Sequence, residues 1–96
     1  MKVVFIAYNV AIHDEVIEML QRHGVDTYTR WEHVTGVGKS SGPHLDTHVW
    51  PASNSAIATV TTDDTAKALL EAVREMRQSM SGEGIKAFLI PVEEAT

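Results

Sequence analysis

Two short segments, KVVFIAY at residues 2–8 and KAFLI at residues 86–90, are apolar at nearly every position. In an extended chain successive side chains point to opposite faces. Val3, Phe5 and Ala7 therefore face one way, and Val4, Ile6 and Tyr8 the other. A strand that is apolar on both faces has to be covered on both. A chain of 96 residues has room for one modest core. If its own helices cover one face of a sheet, the second face needs a cover from outside.

The rest of the chain supplies those helices. Ile12, Val16, Met19, Leu20 and His23 fall at helical spacing and predict a helix over 11–23. Asp14 and Glu15 suit its positive N-terminal end, and Gly24 suits its stop. DTYTRWEHV at 26–34 predicts a second strand, and AIATVT at 56–61 a third. Between them, residues 36–55 hold three glycines, two prolines and four serines and read as a loop. Its roughly 20 residues exceed most connections in compact domains, and such loops are often functional. Ala66, Leu69, Leu70, Val73, Met76 and Met80 predict a helix over 65–80, capped by Asp63 or Asp64. SGEG at 81–84 is a turn into the last strand.

The order strand–helix–strand–strand–helix–strand predicts an α+β fold, the ferredoxin-like βαββαβ sandwich. It has a four-stranded antiparallel sheet with two helices on one face. Residues 1–96 then form a single domain. The bare face takes Val4, Ile6 and Tyr8 or their opposites, with Phe88 or Leu89. An apolar face of that size implies a homo-oligomer.

Composition narrows the function classes. Hydrophobic residues make up 44% and charged residues 22%, as in an ordinary globular protein. The net charge of −5 argues against nucleic acid and anionic membranes as partners. No apolar run approaches the ~20 residues of a membrane span, and the first strand lacks a cleavage pattern, so we expect no direct membrane insertion. With no cysteine there is neither a disulfide nor a thiolate ligand, which fits a cytoplasmic location.

The stretch GVGKSSGPHLDTHVWP, residues 36–51, holds the candidate chemistry. It fails as a Walker A loop, because His33 stands where the first glycine of G-x-x-x-x-G-K-S/T belongs. What remains is a G-x-G turn, Gly36 and Gly38, followed by Lys39. Such a turn either offers N–H groups to an anion or serves as a plain hinge. SGEGIK at 81–86 is a second glycine turn with a lysine, or an ordinary helix stop. His44, Asp46 and His48, spaced by two, would share one side of an extended chain. They suit a divalent transition metal, with His33 or a neighbouring subunit supplying a further ligand, or they form a polar solvated loop. Trp50 either anchors a partner or tucks the loop onto the sheet. No Ser/His/Asp set, cysteine nucleophile or enforced carboxylate pair is present, so the chain is not read as an enzyme.

HDEVIEMLQRHGV, HVTGVGKSSG, TTDDTAKALLEAV and SGEGIKAFLIPVEEA together resemble the nitrogen regulatory PII superfamily over nearly the whole chain. PVEEA is the most specific match. The resemblance implies a homotrimer that binds an adenine nucleotide (ATP, ADP or AMP) in clefts between subunits. It also implies that the trimer regulates a membrane transporter or an enzyme. Carried over by position, Gly36, Gly38 and Lys39 line the T-loop side, and Gly82, Glu83, Gly84 and Lys86 the B-loop side. Thr29 stands toward the adenine end. The 36–55 segment corresponds to a shortened T-loop without the tyrosine that is modified in many members. Ile85 separates Gly84 from Lys86, and the sequence stops at Thr96 without the family's C-terminal arginines. Loss of those guanidinium contacts implies weak nucleotide binding. The metal association of some PII-like and CutA-like trimers gives the loop histidines an alternative role.

Overall fold

A computed structural model describes residues 1–37, 53–80 and 84–96. Its strands are β1 (Lys2–Asn9), β2 (Thr29–Val34), β3 (Asn54–Thr61) and β4 (Ile85–Pro91), and its helices are α1 (His13–Arg22) and α2 (Asp63–Ser79). The sheet runs β2-β3-β1-β4, with every neighbouring pair antiparallel. This is the ferredoxin-like α+β sandwich expected from the element order.

The register settles which face of each two-sided strand meets the helices. Val4, Ile6 and Tyr8 are buried, together with Ile57 of β3 and Ile85 of β4. Val16, Met19 and Leu20 of α1, and Ala66, Leu69 and Val73 of α2, close over them. Each of the valine, isoleucine, leucine and methionine side chains among them contributes about 1.5–3 kcal/mol on burial. The other face carries the opposite set. Ile90, Val3 and Val60 lie in one cross-strand row, and Phe88, Phe5 and Ala58 in the next. Phe5 and Trp31 pack with ring centroids 6.3 Å apart. Trp31, Val60, Phe88 and Ile90 all remain about half exposed.

Element ends differ from the sequence-based expectation for local reasons. The Asn9 side chain accepts a hydrogen bond from the Ala11 N–H at 2.8 Å. The chain therefore makes a 3-10 turn over Val10–Ile12 before α1 begins at His13. Thr62, not Asp63 or Asp64, caps α2, accepting from the Thr65 N–H at 3.3 Å. The two aspartates instead occupy the first turn, where carboxylates meet the positive helix end. Strand β2 starts at Thr29, three residues later than Asp26. At that end the Thr27 carbonyl accepts from the Thr59 hydroxyl at 2.9 Å. Strand β3 begins at Asn54, inside the segment expected to be loop.

Helix α1 ends as Gly24 predicts. Gly24 has φ +77°. Its N–H donates to the Gln21 carbonyl at 3.0 Å, and the Val25 N–H to the Leu20 carbonyl at 2.9 Å. These are the two bonds of a Schellman stop. The buried Val25 seals it against the core.

Candidate functional site

The end of β1 gathers the two chain segments that carry the glycine turns. The Asn9 N–H donates to the Gly84 carbonyl at 2.8 Å, and the Val10 N–H to the Ser53 carbonyl at 2.9 Å. On β2, two residues between Trp31 and Val34 face a single residue of β3, which makes a bulge where that strand leaves the sheet. The bulge brings Val34 into register with Asn54.

These contacts frame a cleft of about 430 Å³. Val34 of β2 lines it with Thr35, Gly36 and Val37 just beyond that strand, Asn54 from β3, Ala7 and Tyr8 from β1, and Ile85 and Lys86 of β4 with Gly84 just before it. Apolar walls with a few polar groups are the common form of a small-ligand site. Ala7 is the small residue in an otherwise bulky strand and leaves room at the floor. Strand alternation resolves the Ile85 insertion: Ile85 is 2% exposed and belongs to the core, while Lys86 is exposed on the opposite face, in register with Ala7.

Beside the cleft, the helix face of the sheet buries a polar cluster. The Tyr8 hydroxyl lies 2.7 Å from His13 Nδ1, and the two rings stack 5.8 Å apart. Arg30 Nη2 donates to the Ser55 hydroxyl at 3.2 Å, and that hydroxyl donates to the Glu32 carbonyl at 2.7 Å. Arg30 Nε is buried with no acceptor among the described residues. Burial pushes the Tyr8 phenol up, opposed by the charge of Arg30 and by hydrogen bonding from Arg30 and Ser55.

Of the sequence-predicted residues, the structure brings Gly36, Gly84 and Lys86 to one cleft. Thr29 is exposed on the same sheet face but registers with Ala58, four residues along β3 from Asn54. Gly38, Lys39, His44, Asp46, His48, Trp50, Gly82 and Glu83 lie outside the described residues. Among the described residues, no group of three histidines and carboxylates could hold a metal ion. Asn54 and Val34 were not anticipated as site residues. Their only sequence signal is position, at the inner ends of the two strands that flank the long segment.

Comparison with known proteins agrees with this architecture. The family model for nitrogen regulatory protein P-II matches residues 1–96. No curated protein matches the chain. Among solved structures, CPII from Thiomonas intermedia bound to ADP, AMP and acetate is 17% identical, with a TM-score of 0.76, covering 99% of this chain and 88% of that one. CPII bound to ADP and bicarbonate is 20% identical, with a TM-score of 0.69, covering 92% and 81%. A PII-like signaling protein from Thermus thermophilus is 19% identical, with a TM-score of 0.66, covering 92% and 81%. At these identities the structural likeness speaks for the fold.

Proposed function

The chain belongs to the nitrogen regulatory protein P-II family, and from that premise we propose that it is a regulatory, non-catalytic protein that binds an adenine nucleotide in clefts between subunits, to which the cleft at Gly36, Gly84 and Lys86 contributes one wall. The convergence of Gly36, Gly84 and Lys86 on one cleft carries this reading. Glycines leave backbone N–H groups open to a phosphate, and Lys86 adds a charge. ADP and AMP in CPII structures of the same fold support that ligand class.

The active form is a homotrimer, assembled through the half-exposed apolar sheet face around Phe5, Trp31, Val60 and Phe88. Residues 36–55 report occupancy of the cleft to a partner, a transporter or an enzyme. Residues 1–96 act as one unit in the cytoplasm. Among the described helices none is long and apolar enough to cross a membrane.

Calorimetry with ATP, ADP and AMP, paired with thermal shift, tests the reading. Saturable heat and a raised melting temperature with an adenine nucleotide are expected. Neither response at millimolar concentration would remove it.

A further inference from the structure

A second cavity, of about 630 Å³, lies between α1 and α2 and shares no residue with the cleft at the end of β1. Met19 and His23 line it from the last turn of α1 and its cap, and Met76 lines it from α2. Residues four apart on a helix are neighbours on one face, so Met19 and His23 stand side by side. Ala68 and Ala72, two turns and one turn before Met76, put no long side chain on that wall. His23 is held at two points. Its backbone N–H donates to the Leu20 carbonyl at 3.1 Å, and its ring Nδ1 lies 3.0 Å from the Met19 carbonyl. A carbonyl only accepts, so Nδ1 carries the proton, and in the neutral ring Nε2 carries the lone pair. One ring nitrogen tied to a backbone carbonyl, with the other left to ligate, is the arrangement that metal-binding histidines adopt.

The donors of this cavity sort by softness. Its oxygen donors, Glu71, Glu75 and Ser79, are exposed at the rim. Glu71 is paired with Arg74 at 3.1 Å, and the exposed Arg22 on the α1 side repels a divalent ion. The soft donors are the sheltered ones: Met19 is fully buried, and His23 and Met76 are half-buried. Thioethers select Cu(I) over the harder divalent ions, and imidazole suits copper as well. We propose that Met19, His23 and Met76 form a site for a soft monovalent cation, Cu(I) or its analogue Ag(I), between the two helices. Its ligand set is neutral and sulfur-rich, unlike the divalent set expected of His44, Asp46 and His48. It stands independently of the nucleotide reading.

The test titrates the intact chain with Ag(I), which is redox-inert, and with Cu(I) under anaerobic conditions, reading the methionine methyl groups by NMR. The chain has four methionines, so the untouched pair serves as an internal control. The Met19 and Met76 methyls should shift and saturate at one equivalent, while those of Met1 and Met80 stay in place. Zn(II) at the same concentration should move none of the four. Met76→Leu keeps the volume and removes the sulfur, and His23→Gln removes the ring nitrogen. Each should weaken Ag(I) binding by at least roughly tenfold, the least that losing even an outer-shell partner costs. His44→Ala with His48→Ala should leave Ag(I) affinity unchanged. Thermal unfolding checks that the variants are folded, and the methyl shifts of the unaltered chain decide even where one is not. Unmoved Met19 and Met76 methyls, equal shifts of all four, or full affinity in folded Met76→Leu would overturn the site.

Discussion

The Tyr8 hydroxyl sits 2.7 Å from His13 Nδ1, bridging the end of β1 and the start of α1. Tyr8 is 1% exposed. Removing its hydroxyl leaves the imidazole nitrogen without this partner in a partly buried site. Tyr8→Phe should therefore cost about 1 kcal/mol, the usual net value of such a bond, as a lowered urea midpoint at constant slope.

The same phenol should shape alkaline stability. Its pKa is raised in the folded protein, first by burial. The native state thus holds the proton where the unfolded chain, titrating near 10, has lost it. Stability from this group is complete below that value and falls as pH rises through the folded pKa. Denaturant midpoints measured across this alkaline range should decline more steeply for the unaltered chain than for Tyr8→Phe. Parallel declines would assign the effect to other tyrosines or lysines.

Gly24 closes α1 at φ +77°, and nothing lies within 4 Å of where a Cβ would sit. The cost of Gly24→Ala is then backbone strain alone, about 1 kcal/mol, or roughly 4–8 °C in Tm for a domain of this size. Gly24→Asn should recover part of the loss, because asparagine enters the left-handed region more readily. Equal losses for both would point instead to a packing role at this position.

The half-exposed face gives a test of assembly. Phe88 lies opposite Phe5 in the β1–β4 register, and Val60 opposite Val3 in the β1–β3 register. Phe88→Lys or Val60→Lys puts a charge on that face without touching the core beneath the helices. Sedimentation should show the proposed trimer falling to monomers, while circular dichroism stays unchanged. An intact oligomer in both variants would mean that a different surface holds the subunits together.

How much of this was legible in the sequence depended on asymmetry. Helix α2 was, because Ala66, Leu69, Val73 and Met76 mark one side and charges the other. The fold followed from the order of elements. Which face of β1 meets the helices was not legible, because Val3, Phe5 and Ala7 are nearly as apolar as Val4, Ile6 and Tyr8. Parity alone cannot choose between them; only the seating of α1 and α2 does. At the site, Gly36, Gly84 and Lys86 showed as motif residues, whereas Asn54 looked like one more polar residue of a long loop. Its place was set by the bulge between Trp31 and Val34, a register event that local composition does not encode.

Lys86 carries the last prediction. Alternation sends Ile85 into the core and Lys86 to the cleft, so the inserted isoleucine fixes the lysine's direction instead of displacing it. A hydrogen bond to a charged group is worth about 1.5–3 kcal/mol. Lys86→Ala should therefore weaken ADP binding by roughly tenfold or more, with a smaller loss for adenosine, which has no phosphate to meet the ammonium. Lys86→Arg should restore much of the affinity. The salt dependence of ADP binding should flatten in Lys86→Ala, since part of the attraction it screens is gone. Equal losses for ADP and adenosine would place Lys86 away from the phosphates.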